Sequence, residues 1–454
     1  MSQNNARVCS LLACLAFLFF SCATKPEAYK DIDHAVDNNE FDIAIEVLRK
    51  GQEGRRPIYR EKNAISLYMD KGLLEHYAGN YANSSQDLQE AERLIQEAFT
   101  KSVTADMASY IANDNTKEYP GEDFEDIYIN VFNALNYYNR GNIDGALVEI
   151  RKLTTSSGKL DMLSRKYENA RRSGGGNGAA ETLRGFGISV NDAMPKGRPV
   201  DFSNSALARY LSALFYLSDG NTDGARIEFE QLQAAFASNS KIYYHPVPKS
   251  AMDIQTVPPE KARLNIIAFA GLSPVKEEGL YYVSFPLTIP ILCQPVFKLP
   301  KFAKRPSAIN RIEVMVEGGD KFNLELLEDM GAVIEETYNA HFSQIFYKTF
   351  IRLLTKYAAT AVAANVAREQ SGDLAGLAVA AAGKAAADAS EGADIRMSRY
   401  IPDKAYIGGI NLDPGTYNVI IHYYSGSRIV AKDERRGVVV TANAPNLIET
   451  ISLK

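Results

Sequence analysis

Cysteine and histidine, the residue types that serve most often as nucleophiles and metal ligands, are sparse and scattered in this sequence. The five histidines form neither an HxH nor an HExxH pair and stand far apart, at positions 34, 76, 245, 341 and 422. Cys293 lies alone in an apolar segment, where a thiol is more often a packing group than a nucleophile. We therefore predict no catalytic residues, no metal site and no cofactor.

The glycine-rich and acidic segments also lack the patterns of an enzyme. The run SGGGNG at residues 173–178 has no following Lys-Ser or Lys-Thr pair and no adjacent strand pattern, so it is not a phosphate-binding loop. Acidic residues cluster at 122–126, where the dipole of a helix that begins there favours negative charge. Since no GxSxG, P-loop or dinucleotide-binding pattern occurs either, the sequence predicts a protein that is not an enzyme.

A short apolar segment at residues 8–20 precedes the pair Ser21-Cys22. It is shorter than the ~20 residues that a membrane-spanning helix needs, but it matches the hydrophobic region of a signal peptide. A small residue directly before cysteine resembles the cleavage box of bacterial lipoproteins, so we expect residues 1–21 to be removed and Cys22 to be acylated. An ordinary secretory signal and an uncleaved anchor are the alternatives. Lipidation predicts a protein anchored at the outer membrane and facing the periplasm, with residues 22–30 as a tether.

Length and composition indicate a folded protein of several domains. A chain of 454 residues exceeds the usual size of one hydrophobic core, and 46% apolar with 23% charged residues excludes wholesale disorder. The formal net charge is −5, which makes nucleic acid a poor partner. Tryptophan is absent, so 25 tyrosines and 20 phenylalanines must supply the aromatic packing.

An internal repeat marks the N-terminal half. Residues 137–153 and 216–232 share eight identical positions, among them Gly141 with Gly220. Weaker copies follow the same pattern, at residues 39–48 and 79–88. In each copy a Gly or Asn ends one apolar-periodic segment and a small residue opens the next, which is typical of helix–turn–helix units.

These units predict a helical array over residues 31–240 that is similar to tetratricopeptide repeats. The stretch at 154–204 interrupts the array and is rich in Ser, Gly and Arg. Because the repeat resumes after it, we expect this stretch to be a flexible surface insertion and not a domain boundary.

One face of the first helix in the third unit carries a polar strip, which consists of Asp126, Asn130, Asn133 and Tyr137. Asparagine is a poor helix former, so two of them in the middle of one face need a reason beyond helix propensity. In tetratricopeptide-like arrays this helix lines a concave groove. We therefore predict that the strip is a docking groove for a peptide or ligand; a solvated face is the alternative.

A proline-rich linker at 241–262 and a β-rich domain at 263–454 follow. Alternating apolar residues at 312–316 and 322–326 predict a β-hairpin, and strand patterns return after Pro402. Between them, 328–389 is helical in pattern and ends in an Ala-rich run, which predicts a packed helical hairpin, with membrane contact as the alternative. The predicted fold class is α+β, a tetratricopeptide-like helical array followed by a sandwich or barrel-like domain with an Ala-rich helical insertion.

Three segments of the chain together resemble a family of bacterial envelope lipoproteins with tetratricopeptide-like N-terminal halves and no assigned activity. They are residues 119–152, the GLSP turn at 271–274, and ADIRMSRYIP at 393–402, which is followed by LDPGTY. Genes of that family often lie beside those of lipoproteins that stimulate cell-wall synthases. The resemblance therefore implies work in envelope or peptidoglycan assembly.

Two functions of different classes follow. The first is a non-enzymatic scaffold that binds other cell-envelope proteins through its helical array, with the membrane reached through the lipid anchor and peptidoglycan as a further partner. The second is a periplasmic module that binds a small molecule or glycan in the groove or in the tyrosine-rich β domain.

Overall fold

Four antiparallel helix pairs make up most of the N-terminal half of the protein. The computed structural model describes residues 26–103, 117–172, 202, 204–282, 296–318 and 321–454, and the predictions for Cys22, Cys293 and 173–178 lie outside these residues. The pairs are α1 (Lys30–Asp37) with α2 (Phe41–Gln52), α3 (Ala64–Tyr77) with α4 (Tyr81–Val103), α5 (Asp123–Asn139) with α6 (Ile143–Thr154), and α8 (Ala206–Ser218) with α9 (Thr222–Ser238). These pairs confirm the helix–turn–helix units predicted from the repeats.

The same backbone turn joins the two helices of every pair. The residue at its centre has a positive φ, which is 59° at Asn39, 82° at Gly79, 73° at Gly141 and 73° at Gly220. The next N–H donates to a carbonyl five residues earlier, as in Glu40 to Ala35, Asn80 to Glu75, Asn142 to Tyr137 and Asn221 to Tyr216. Glycine and asparagine recur at these turns because they tolerate the left-handed conformation best.

Two segments predicted as an insertion and a linker contain packed structure. The predicted insertion at 154–204 begins with helix α7 (Lys159–Arg172), whose Leu160 is buried. The predicted linker at 241–262 contains helix α10 (Lys249–Asp253), which lies against a strand of the first sheet. Residues 159–172 of the predicted insertion and 249–253 of the predicted linker are therefore packed helices, although the apolar residues that fix them to the core are few and widely spaced.

The strands form two open four-stranded sheets and a separate two-stranded ribbon. The first sheet has the order β10-β1-β7-β6, in which β1 is parallel to β10 and antiparallel to β7. The second sheet has the order β5-β4-β8-β9, and β2 with β3 forms the ribbon. The strands are β1 (Ala262–Leu272), β2 (Val275–Tyr282), β3 (Val296–Ala303), β4 (Arg311–Val316), β5 (Lys321–Asn323), β6 (Glu325–Asp329), β7 (Pro402–Leu412), β8 (Gly415–Ser425), β9 (Arg428–Val440) and β10 (Leu447–Ser452).

Strand β1 separates two hydrophobic cores. Its Ile267 and Phe269 belong to the core of the helical array, whereas Ile266 and Ala268 belong to a second core that includes Val314 of the second sheet. Because successive side chains of a strand point to opposite faces, β1 is buried on both sides. The protein therefore has three layers, which are the helices, the first sheet and the second sheet. The helical array and the β domain share one core, contrary to the boundary predicted at 241–262.

The Ala-rich segment forms the predicted helical hairpin. Helix α11 (Met330–Ser371) and helix α12 (Asp373–Ser390) meet at Gly372, which has a φ of 89°. The two helices approach closely, since a Cβ added at Gly383 would lie 2.3 Å from the methyl group of Thr360. Small residues on the inner faces permit this distance.

The β2–β3 ribbon packs against the base of this hairpin. Phe297 stacks on Phe346 and Phe350, with ring centroids 5.4 and 5.8 Å away. These rings belong to a third, smaller core that contains residues of both the ribbon and the hairpin. The base of the hairpin is thus fixed to the ribbon, and its far end extends beyond this contact.

The predicted class of mixed α and β structure is confirmed. The predicted β-hairpin is also confirmed, with Val314 of β4 opposite Phe322 of β5. The chain after this hairpin differs from the prediction of one strand over 322–326, because it leaves β5 and enters the first sheet as β6. Both sheets are open and packed face to face, so the domain is a sandwich and not a barrel. The assignment of the helix pairs to the tetratricopeptide class stays a prediction.

Candidate docking surface

The predicted docking groove on α5 is not an open surface. Asn130 and Asn133 are fully buried, because α4, α6 and other elements cover α5 on nearly all sides. The amide of Asn130 donates to Glu92 Oε1 at 3.0 Å and to Glu149 Oε2 at 2.6 Å. The prediction that Asp126, Asn130, Asn133 and Tyr137 line a groove is therefore wrong, and a solvated face is wrong as well.

The two end members of the strip are partly exposed and serve helix packing. Asp126 accepts a hydrogen bond from Lys159 Nζ at 2.6 Å, and the hydroxyl oxygen of Tyr137 accepts one from Gln89 at 2.9 Å. The Tyr137 ring lies over Gly145, where an added Cβ would come within 2.5 Å of the ring. Each residue holds α5 to a neighbouring helix.

A buried ion cluster explains why two residues of this face, Asp126 and Asn130, are polar. Lys159 and Lys152 reach Glu92 at 2.7 and 2.8 Å. Burial alone would raise the pKa of Glu92, but the lysines and the Asn130 amide outweigh burial and lower the pKa to about 2. A buried carboxylate needs several donors, and Asn130 is one of them. The strip therefore serves the interior of the helical array.

Asp70 of α3 holds the segment that precedes β7. Its carboxylate is fully buried and accepts hydrogen bonds from the Ser398 hydroxyl at 2.6 Å and from the Arg399 N–H at 2.7 Å. The Tyr59 hydroxyl donates to the second oxygen. Burial raises the pKa of Asp70 to about 6, although these donors oppose the shift.

Glu125 of α5 holds the same segment from a second helix. It accepts the N–H of Ser398 at 2.5 Å and the hydroxyl of Tyr119 at 2.9 Å. Burial and the nearby Glu122 raise the pKa of Glu125 to about 7. Asp70 and Glu125 together form what we call the carboxylate latch, because they fix Ser398 between the helical layer and the first sheet.

Glu328 at the end of β6 is a third buried carboxylate with a structural role. It accepts hydrogen bonds from the hydroxyls of Tyr128, Tyr243 and Ser205 at 2.8 to 3.0 Å. Burial raises its pKa. Raised carboxyl pKa values are common in catalytic sites. In this protein, hydrogen-bond donors of the chain itself surround Asp70, Glu125 and Glu328. These three carboxylates therefore link parts of the structure.

The buried His76 has a comparable environment. Its ring nitrogens lie 2.6 Å from Glu449 Oε1 and 2.7 Å from Asn136 Oδ1, which ties α3 to α5 and to β10. Among the described residues, no group of three or more His, Cys, Asp or Glu side chains is placed to hold a metal ion. Four buried titratable groups thus connect layers of the fold: Asp70, Glu125, Glu328 and His76.

The outward side of α12 is the strongest candidate for a binding surface. Nine of its positions are exposed. The first is Asp373, and the other eight are all leucine or alanine: Leu374, Leu377, Ala378, Ala381, Ala382, Ala385, Ala386 and Ala389. We call this set the α12 face. Leu374 is 84% exposed and Leu377 is 53% exposed. At 1.5 Å per residue the face is ~22 Å long, and it presents no hydrogen-bonding side chain.

Helix α11 adds a second uncharged surface on the same hairpin. Between Lys356 and Arg368 it has no charged residue, and the exposed positions include Val362 and Val366. Val362 is 65% exposed. The exposed side chains of this stretch are alanine and valine apart from Asn365, and a helix that is largely apolar on all sides is normally buried against other structure. The far half of the hairpin therefore has the character of a surface that another molecule covers.

The Ala-rich run predicted a packed helical hairpin but not an exposed surface on it. The signal was the spacing of leucine and alanine at i, i+3, i+4, i+7 and i+8 along α12. Both sides of this helix are rich in alanine, so the sequence alone does not distinguish the side that packs on α11 from the side that faces outward.

No family model matches this chain, and no curated protein or solved structure is significantly similar to it. The resemblance of residues 119–152 and 393–402 to the envelope lipoprotein family stays a prediction. Within the described residues, no helix combines the length and the apolar character that a membrane span requires.

Proposed function

We propose that this protein is a membrane-anchored envelope scaffold that binds other cell-envelope proteins and has no enzymatic activity. The observation that supports the proposal is the uncharged outward surface of α11 between Lys356 and Arg368, with Val362 and Val366 exposed. Covering such a surface removes apolar area from water, which favours association. We propose that the envelope partner binds this α11 surface.

The anchor and the helical array complete the proposal. Acylation of Cys22 holds the protein at the outer membrane, facing the periplasm, and residues 22–30 act as the tether. We propose that the four helix pairs are tetratricopeptide-like and that they position the hairpin for partners in envelope or peptidoglycan assembly. Asp126, Asn130 and Tyr137 hold α5 to neighbouring helices and Asn133 is fully buried, so the hairpin replaces the α5 strip as the docking element.

A test of the anchor uses the full chain in cells. The Cys22→Ala variant should lose palmitate labelling and leave the membrane fraction, because Cys22 is the acylated residue. A variant that still incorporates palmitate would assign the lipid to another residue.

A test of docking uses a photo-crosslinking amino acid at Ala359, an exposed position on α11. We expect one or a few defined envelope proteins in the crosslinked product. Val362→Glu with Val366→Glu in the same chain should abolish that product, because two charges would have to be desolvated. Val439→Glu is the matched control, since Val439 is 63% exposed on β9, outside the hairpin.

The ligand-binding alternative has a different outcome. If the crosslinker at Ala359 gives no defined product, while the intact chain is retained on purified peptidoglycan with or without Val362→Glu, the protein is a glycan-binding lipoprotein and the scaffold proposal is wrong. If Val362→Glu abolished retention on peptidoglycan, the hairpin would bind the cell wall and not a protein.

A further inference from the structure

We infer that a loop beside the lipid anchor binds the phosphate groups of an anionic phospholipid surface through three arginines. The loop consists of residues 53–60, which follow α2, and we call it the arginine loop. The inference rests on the proposed function, because it takes the acylated Cys22 as the anchor. It adds a second contact with the membrane and an orientation of the first helix pair above it.

The arginine loop carries positive charges that have no counter-charge in the described part of the chain. Arg55, Arg56 and Arg60 are exposed, and none of them has an acidic partner among the described residues. Eight other exposed arginines are each paired with a carboxylate: Arg49, Arg93, Arg151, Arg165, Arg226, Arg368, Arg435 and Arg436. A guanidinium group matches the geometry of a phosphate, so three unpaired ones favour a phosphate-bearing partner.

The backbone of the loop is held in place although its arginines are exposed. The side-chain amide of Gln52 donates to the carbonyl of Tyr59 at 3.1 Å, and its oxygen accepts the N–H of Tyr59 at 2.8 Å. Ile58 packs on Gly51, where an added Cβ would lie 2.3 Å from the Ile58 side chain. Because the loop is fixed before it binds, little backbone freedom is lost on binding.

Tyr59 places the arginine loop next to the anchor. Its ring centroid lies 5.5 Å from that of Tyr29. The four residue steps from Cys22 to Pro26 span at most ~14 Å, and the 3₁₀ turn Pro26–Tyr29 adds ~6 Å. Tyr29 therefore lies no farther than ~20 Å from the acylated residue, which keeps the adjoining loop close to the membrane surface.

Charge is distributed unevenly along the first helix pair. Because α1 and α2 are antiparallel, the start of α1 and the end of α2 lie at the same end, which we call the anchor end. Over residues 26–31 and 49–62 it has seven basic and four acidic residues: Lys30, Arg49, Lys50, Arg55, Arg56, Arg60 and Lys62 against Glu27, Asp31, Glu53 and Glu61.

The opposite end of the pair is acidic. Residues 37–42 contain Asp37, Glu40 and Asp42 and no basic residue. Between the two ends, Asp33 and Glu46 are paired with Arg399 and Arg49. A negatively charged surface therefore attracts the anchor end and repels the turn between α1 and α2.

An anionic bilayer suits this arrangement better than a soluble anionic partner does. The anchor holds one end of the helix pair at the bilayer, and charges farther away than ~8–10 Å are screened, so the local excess of basic residues decides the interaction. A soluble acidic protein or nucleic acid would instead approach the whole molecule, whose net charge is −5.

Vesicle binding of the unacylated chain tests the inference without the anchor. The chain from Ala23 onward retains every described residue. It should bind phosphatidylethanolamine–phosphatidylglycerol vesicles at ~0.1 M salt and lose this binding at ~1 M, where the Debye length falls from ~10 to ~3 Å. Binding to phosphatidylcholine vesicles should be at least about tenfold weaker, because they carry no net charge.

A triple substitution tests the arginine loop itself. Arg55→Gln with Arg56→Gln and Arg60→Gln should weaken binding to the anionic vesicles at least about tenfold, because three charges near the lipid are removed. Thermal unfolding should be unchanged, since these side chains have no ionic partner to lose. The matched control is Lys249→Gln with Lys321→Gln and Arg428→Gln, which removes the same charge at exposed positions outside the helix pair and should leave binding nearly unchanged.

Lipid crosslinking tests the orientation. With photoactivatable phosphatidylglycerol in the vesicles, labelled peptides should come from residues 49–62, because the anchor end faces the lipid. Peptides that contain the turn at 37–42 should remain unlabelled.

Four outcomes would overturn the inference. They are a chain that does not bind the anionic vesicles, an arginine variant that binds as well as the unchanged chain, a control variant that loses binding to the same extent, and labelling at 37–42 in place of 49–62. If Cys22→Ala still incorporated palmitate while the arginine variant lost vesicle binding, the proposed anchor would be wrong and the arginine loop would remain a membrane contact. If Cys22 were acylated and the arginine variant bound normally, the inference would be wrong and the proposed function would stand.

Discussion

The main-chain N–H of Ser398 donates to Glu125 Oε1 at 2.5 Å, although the two residues are 273 positions apart in the chain. The hydroxyl of the same serine donates to Asp70 at 2.6 Å. Two carboxylates from two helices thus fix one residue beside the first sheet. The carboxylate latch is a link between the helical layer and the β domain, and its removal should affect the stability of the whole fold.

Replacing Asp70 by alanine should lower the free energy of unfolding by about 3 kcal/mol or more. The buried N–H of Arg399 and the hydroxyl of Ser398 would lose their acceptor, and unpaired buried donors are costly. Denaturant unfolding followed by circular dichroism measures this change. Asp70→Asn keeps one acceptor oxygen and should cost clearly less, and an equal loss in both variants would contradict the hydrogen-bonding explanation.

The latch predicts that stability falls as the pH rises from about 4 to 7. Asp70 and Glu125 have pKa values of about 6 and about 7 in the folded protein, against 3.8 and 4.5 in an unfolded chain. At a pH between the unfolded and the folded pKa of either group, the folded state binds more protons than the unfolded chain. The free energy of unfolding therefore decreases as the pH rises. The decrease should be on the order of 2 kcal/mol for each group.

Chemical denaturation at pH 4.5, 6.0 and 7.5 tests this pH dependence. The double variant Asp70→Asn with Glu125→Gln should lose most of the slope, because neither amide titrates. The remaining slope belongs to other groups with shifted pKa values. They include Glu328, whose pKa is raised by burial, and His76, whose pKa is raised because the effect of Glu449 outweighs that of burial. A double variant with the original slope would assign the dependence to other groups.

Replacing Asn133 by leucine should stabilise the folded protein. The side chain is fully buried, and neither atom of its amide has a hydrogen-bond partner among the described residues. Asn133→Leu keeps a similar volume and should raise the free energy of unfolding by about 1 to 2 kcal/mol. Asn130→Leu is the matched control on the same helix and should destabilise, because it removes donors from Glu92 and Glu149. If both substitutions raised the free energy of unfolding, or both lowered it, this prediction would be contradicted.

Gly383→Val should separate the two helices of the hairpin. The added side chain would meet Thr360 of α11, which a Cβ alone already approaches to 2.3 Å. Overpacking of this kind costs about 1 to 3 kcal/mol. Hydrogen exchange should accelerate along α12 and leave the two sheets unaffected. Ala361→Val, at an exposed position of α11, is the control and should leave exchange along α12 unchanged.

Much of the fold could be predicted from local signals. Glycine and asparagine at positions 39, 79, 141 and 220 marked the helix turns correctly, since they report a left-handed backbone that the chain cannot form easily with other residues. The alternating apolar residues at 312–316 predicted a strand correctly, because alternation is also a local signal. The Ala-rich hairpin was predicted within about two residues of its observed ends.

Predictions that depended on contacts distant in sequence were less successful. Asn130 was interpreted as a groove residue because helical spacing reveals that polar residues share a face, but not that Lys159 and Glu92 bury that face. The latch was not predicted for the same reason, as nothing near Ser398 in the sequence points to Asp70. The α12 face was missed because both sides of the helix have nearly the same composition.

The parallel pair of β1 with β10 has a consequence for how the chain folds. Strand β1 begins at Ala262, whereas its partner β10 begins only at Leu447. The first sheet, which also bounds the core of the helical array, cannot be completed until β10 is available. Such distant contacts make folding slow and leave the intermediate open to aggregation. A polypeptide that is exported in an extended state would be compatible with this order, because the first sheet closes only after β10 has emerged.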